Sequence, residues 1–92
     1  MKKIIQGKVY NTETATLIAE WDNSPERYPT DFHYEEVKVY KTKFGACFTV
    51  SKYNPYPWEM KLLHGPEILE LAQKIGEVDF VAKHFPALIV EG

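Results

Sequence analysis

Ninety-two residues that are 45% hydrophobic, 14% aromatic and 26% charged make one domain, spanning 1–92, with a modest core, and exclude a disordered chain. A formal charge of −2 gives no general attraction for nucleic acid. The single cysteine excludes an internal disulfide framework and predicts a reducing, cytoplasmic setting.

Met1-Lys2-Lys3-Ile4-Ile5 begins like a signal peptide, but Gln6-Gly7-Lys8 ends the apolar run too soon. No apolar run approaches bilayer length, so no membrane partner is expected. Ile4, Ile5, Val9 and Tyr10 predict a first strand. Asn11-Thr12-Glu13-Thr14 predicts a polar turn, because Asn and Thr side chains can bond nearby backbone groups. Thr16 to Trp21 then predicts a second strand; a short helix over 12–20 capped by Thr12 is the rival, and the excess of threonine favours the strand. The stretch 22–30 is dense in turn formers and holds Pro25 and Pro29.

The chain is organised around a predicted β-hairpin over 35–52. Glu35 to Thr42 and Ala46 to Ser51 alternate and are rich in β-branched and aromatic residues. Lys43-Phe44-Gly45 joins them. A type I turn closed by a left-handed Gly45 pairs Thr42 with Ala46 and Tyr40 with Phe48. A four-residue loop pairs Lys41 with Ala46 and gathers Val37, Val39, Phe48 and Val50 on one face. The turn rule favours the first register and face cleanliness the second. A one-residue slip exchanges the faces, and the register stays open at this point.

Pro55 and Pro57 bar a central strand from the loop Tyr53 to Trp58. Glu59 to Leu63 predicts a short strand. Gly65-Pro66-Glu67 opens a helix, with proline at the first position and an acid in the first turn. Its buried stripe is Ile68, Leu71, Ala72 and Ile75, and Glu70–Lys74 forms an i,i+4 pair. Gly76 stops it. Val78, Val81, Ala82 and Phe85 repeat the spacing, so a second short helix runs from about Val78 to His84, where Pro86 ends it. Residues 87–90 form an irregular tail or an edge strand. The class is α+β: a small antiparallel sheet of N-terminal strands plus the central hairpin, with two short C-terminal helices packed on one face.

Catalytic residues are not apparent. His33, His64 and His84 are scattered, without zinc-site spacing. Cys47 lies mid-strand, where a small structural residue is commoner than a reactive thiolate. Glu35 and Glu36 are adjacent on a strand and point to opposite faces. Neither serine has an elbow-like glycine context, and no glycine-rich phosphate loop is present. The chain reads as no enzyme, with no catalytic, metal or cofactor residues to assign.

Charge is uneven. Residues 36–61 carry five lysines and two acids, between acidic flanks. Lys38, Lys41, Lys43, Lys52 and Lys61 could contact phosphates, with Tyr40 or Phe44 stacking on bases. The blander role is to keep an edge strand from aggregating, and the island has no arginine. The other candidate surface is aromatic. Tyr53, Tyr56 and Trp58 interleave with prolines, and Phe44 tops the hairpin. A stiff loop loses little entropy on binding, and Trp and Tyr dominate binding hot spots. Equally, the loop could fold back over the sheet. The partner-binding candidates are Phe44, Tyr53, Tyr56, Trp58, Lys41 and Lys43; Phe44 and Tyr56 are the better contacts, and for Trp58 packing inward is favoured over contact, with core or interface left open. An exposed hairpin edge could also make a homodimer across a two-fold axis.

Four stretches in order, Tyr10-Asn11-Thr12-Glu13-Thr14-Ala15, Asp31-Phe32, Tyr40-Lys41-Thr42-Lys43-x-Gly45-x-x-Phe48 and Ser51-Lys52-Tyr53, together resemble a group of small proteins encoded by phages, plasmids and other bacterial mobile elements. Some of that group resemble anti-CRISPR proteins. The resemblance implies a host protein as partner, such as a CRISPR effector complex, blocked by occlusion of its surface. It supplies no catalytic residues. The chain departs from the pattern where Phe48-Thr49-Val50 runs straight into Ser51 without a glycine-rich stretch, and where Gly65-Pro66-Glu67 opens the helix.

Overall fold

A computed structural model describes residues 1–22, 35–53 and 56–89. Six strands are followed by two helices: β1 (Lys2–Ile5), β2 (Lys8–Asn11), β3 (Thr16–Asp22), β4 (Glu35–Lys41), β5 (Cys47–Tyr53), β6 (Glu59–Leu63), α1 (Gly65–Ile75) and α2 (Asp79–His84), with a 3-10 turn at Pro86–Leu88. The α+β class, the antiparallel strands and the two C-terminal helices are as the sequence predicts. Strands β3-β4-β5-β6 form one antiparallel sheet in that order, and β1-β2 form a second sheet of two strands.

That second sheet replaces the single strand that Ile4, Ile5, Val9 and Tyr10 predict. Ile5 pairs with Lys8 across Gln6 and Gly7, both at positive φ (52° and 77°). Two such residues in a two-residue turn match the twist of the flanking strands. The chain therefore doubles back inside the predicted strand. The Asn11 turn forms as predicted: its side-chain Oδ1 accepts from the Glu13 N–H at 2.9 Å. Thr16–Asp22 is a strand rather than a helix, with a bulge between Leu17 and Ala19.

The hairpin adopts the register the turn rule favours. Tyr40 pairs with Phe48 and Lys41 with Cys47. The Thr42 N–H donates to the Ala46 carbonyl at 2.8 Å, and Gly45 holds φ 89°. Face cleanliness misleads here because β5 has no wet face over its first half. Cys47, Phe48, Thr49 and Val50 are all buried. A central strand covered on both sides has no alternation to read.

Two cores flank the sheet. On one side α1 and α2 place Ile68, Ala72, Ile75, Phe80 and Val81 against Val37, Val39, Cys47 and Leu63. On the other, Tyr10 of β2 meets Phe48, Val50 and Met60. There the Phe48 ring stacks on Tyr40 at 5.2 Å and meets Tyr10 edge-on at 5.8 Å.

Helix α1 runs from Gly65 as predicted and ends at Gly76 in the left-handed conformation (φ 70°). Its stripe is buried at Ile68, Ala72 and Ile75, with Leu71 half-buried. Lys74 does not close on Glu70 but reaches Glu35 on β4 at 2.7 Å. A cross-element partner already held by the sheet offers a shorter bond than a mobile i,i+4 neighbour. The second helix is phased differently from its predicted stripe. Phe80 and Val81 are buried, whereas Val78 and Ala82 are exposed. A six-residue helix has little orientation of its own, and docking of the large Phe80 ring decides which way it faces. The 3-10 turn takes up the start of the predicted tail; 90–92 lie outside the described residues, as do His33 and the predicted loop at 23–30.

Candidate protein-binding surface

The hairpin tip is built locally. The Gly45 N–H donates to the Thr42 carbonyl at 3.0 Å, and the Ala46 N–H donates to Thr42 Oγ1 at 3.1 Å. With the Thr42–Ala46 backbone bond, three hydrogen bonds hold a five-residue turn. Phe44 stands on it with 88% of its surface exposed. The Lys43 ammonium lies 5.2 Å from the Phe44 ring centroid.

Behind the tip, on the helix side, lies a groove of about 420 Å³ between Gly45 and the Phe85–Leu88 segment, with Cys47, Leu63 and Ile68 in its walls. Lys41 crosses its edge. Its Nζ donates to the His84 carbonyl at 2.8 Å and sits 5.1 Å from the Phe85 ring centroid. A lysine at the C-terminus of α2 satisfies a carbonyl the helix leaves open. Burial pushes the Cys47 thiol up to about 12, so this groove offers an apolar wall and no nucleophile. A rigid exposed aromatic beside an apolar groove is suited to docking a protein surface.

The predicted contacts do not form one patch. Phe44 and Lys43 occupy one end of β5; Tyr53, Tyr56 and Trp58 lie at the other, roughly 20 Å away along a seven-residue strand. Tyr53 and Tyr56 stack at 6.3 Å, and Tyr56 is 64% exposed. Trp58 belongs to neither core: it is 37% exposed, with Lys38 Nζ 5.6 Å from its ring centroid. Of the two places left open for Trp58, the structure gives the exposed one rather than the core. Its position continues the Met60 and Leu62 face of β6, which the β1-β2 hairpin covers only in part. Asp22 and Glu35, which flank 23–34, lie at this same end.

The lysine island also divides. Lys41 and Lys61 lie on the helix side, Lys41 bonded to His84 and Lys61 paired with Glu67 at 3.4 Å. Lys38 and Lys52 lie on the opposite face by strand alternation, and Lys38 approaches Glu36 at 3.8 Å. Lys43 is alone at the tip. A five-lysine track along one nucleic-acid backbone is not assembled.

A second groove, of about 270 Å³, runs beside α1 between Glu35, Ser51, Lys61 and Glu70. Its charges answer each other through Lys74–Glu35 and Lys61–Glu67. Glu67 also accepts from the His64 N–H at 3.1 Å, and that bond, with Lys61 nearby, holds its carboxyl below the usual glutamate range. Among the described residues no three His, Cys, Asp or Glu side chains converge on a metal site, and no helix is long and apolar enough to cross a membrane.

The sequence points to Phe44 but not to the groove beside it, because Phe85, Pro86 and Leu88 read as a helix end and tail. The one signal for it is the run of apolar residues after Pro86 with no helical phase of its own. The geometry describes the class of a layered α+β domain with an aromatic-tipped hairpin. No model of a protein family, no curated protein and no solved structure matches the chain.

Proposed function

We propose that this chain is a non-enzymatic, cytoplasmic binding protein of mobile-element type, which acts by occupying a surface of a larger host protein. The partner class is a host nuclease complex such as a CRISPR effector, as the resemblance through Tyr40 to Phe48 implies. The observation that carries the reading is Phe44, 88% exposed on a turn held by three hydrogen bonds. An aromatic side chain on so constrained a backbone costs little further ordering when it enters a partner's pocket. Lys43 beside it and the apolar groove behind it extend the contact. The Tyr53–Tyr56 stack at the far end is a separate, secondary surface.

The test is capture of purified effector complexes by the tagged protein, with DNA cleavage by the captured complex measured in parallel. Stoichiometric capture with loss of cleavage, both abolished in Phe44→Ala and retained in Tyr56→Ala, supports the reading and places the surface at the tip. Failure to bind any effector complex, or binding indifferent to Phe44, overturns it. Retention of nucleic acid alone, released by raised salt, would favour the divided lysines instead.

A further inference from the structure

The four-stranded sheet ends at β6, which pairs with β5 and with no other strand among the described residues. In an antiparallel ladder, residues alternate between pairs that exchange backbone bonds and pairs that do not. At the turn the Thr42 N–H donates to the Ala46 carbonyl, which puts that pair in a hydrogen-bonded position. Counting by twos, Tyr40–Phe48 and Lys38–Val50 are hydrogen-bonded pairs as well. The intervening residues of β5, Cys47, Thr49 and Ser51, turn their backbone groups towards Leu63, Lys61 and Glu59. The N–H and C=O groups of Met60 and Leu62 are thereby directed away from the sheet.

We propose that β6 pairs with β6 of a second copy, antiparallel across a two-fold axis at Met60. A two-fold axis normal to a sheet brings together residues whose numbers have an even sum, since opposed residues share a face. Centred on Met60, the register opposes Glu59 to the partner's Lys61 and Lys61 to the partner's Glu59. It opposes Trp58 to the partner's Leu62 and Leu62 to the partner's Trp58. Charges of opposite sign therefore meet on the helix side, in the non-hydrogen-bonded pairs where side chains come closest. Apolar side chains meet on the other side. The outward backbone groups of Met60 and Leu62 fall in the hydrogen-bonded positions. The next register, centred on Lys61, would oppose that lysine to its own copy. The Met60 register is the complementary one, and the pattern Trp58-Glu59-Met60-Lys61-Leu62 reads as self-matching about its middle.

The two edges of the sheet differ in a way that agrees with this. Strand β3 carries a bulge between Leu17 and Ala19, a device that blunts edge pairing. Strand β6 has neither bulge nor proline within it. A lone edge lysine usually discourages pairing, but here Glu59 two residues away answers it. The Lys61 side chain is 64% exposed while in reach of Glu67, so a second carboxylate can share its ammonium. Pairing yields a continuous eight-stranded sheet and turns the exposed Trp58 towards an apolar neighbour. The two Phe44 tips then point in opposite directions along the strands, free of the interface.

Sedimentation equilibrium over a wide concentration range tests this, with thermal unfolding run on each variant to show that it folds. The wild-type chain is expected to exceed its monomer mass of 10.7 kDa as concentration rises. Glu59→Lys opposes two lysine pairs and Lys61→Glu opposes two glutamate pairs, so each alone should weaken association roughly tenfold or more. An equimolar mixture of the two variants restores both attractive pairs and should dimerise as well as the wild type does. Lys61→Gln, which sets no charge against Glu67, should weaken association less, in the same direction. A monomer at every concentration, a dimer indifferent to these charges, or a mixture no better than its components would each overturn the proposal.

Discussion

Phe44 and Phe48 are four residues apart on one hairpin, and they should behave in opposite ways. Phe48 is fully buried, its ring stacked on Tyr40 and met edge-on by Tyr10. Truncating a buried phenylalanine to alanine typically costs about 3–5 kcal/mol. Two ring contacts of about 0.5–1.5 kcal/mol each place Phe48→Ala at the middle or upper part of that range, about 4 kcal/mol. A 92-residue domain has a total stability of about 5–14 kcal/mol, so this one change removes a large share of it. With a urea slope of about 1.5 kcal/mol per molar, the unfolding midpoint should fall by roughly 2–3 M. Phe44→Ala exposes nothing new and loses one solvent-exposed lysine contact, so it should stay within about 0.5 kcal/mol of wild type. The assay is urea unfolding followed by far-ultraviolet circular dichroism, with the slope checked for constancy. Amide exchange in β1 and β2 should also accelerate in Phe48→Ala, since Tyr10 docks that hairpin on the lost ring. The reasoning is refuted if Phe48→Ala costs less than about 1 kcal/mol, or if the two variants are destabilised alike.

Gly45 sits at φ 89° with open space where a Cβ would go; Gly45→Ala should therefore cost only the left-handed backbone strain, about 1–2 kcal/mol, read as a urea midpoint shift. The Cys47 thiol, pushed up to about 12 by burial, should resist iodoacetamide in the native protein at mildly alkaline pH and react promptly in urea; prompt native labelling would contradict the burial. Because that proton is held more tightly in the folded state than in the unfolded one, whose pKa is about 8.5, Cys47 costs no stability at neutral pH. The folded state loses stability as pH rises from there towards 12, and Cys47→Ala should flatten that part of the profile relative to wild type.

The surface proposed for function draws on both halves of the chain. Phe44 was visible as a candidate because turn chemistry is local: Gly45 must be left-handed, and the residue before it must stand clear. The groove behind it was not visible, because its walls come from β5, β6, α1 and the turn after α2. The place of Trp58 was not legible for a related reason. Aromatic size favours burial, but whether β6 is a covered strand or an edge depends on how far the β1-β2 hairpin reaches across the sheet.

What the chain determined by itself is what backbone rules decide within a few residues. Gly45 marked the hairpin turn, Pro66 and Gly76 set the limits of α1, and the alternating runs marked β4 and β5, while the register between them was left to the fold. The rules hold because a left-handed glycine or a proline at the first helical position has the same consequence in any fold. Tertiary structure alone decided where the long side chains ended. Lys41 bonds a carbonyl 43 residues away and Lys74 a carboxylate 39 residues away. Only the folded sheet could place Phe44 and Tyr53 at opposite ends of one strand, because a strand's length separates what a sequence lists as neighbours.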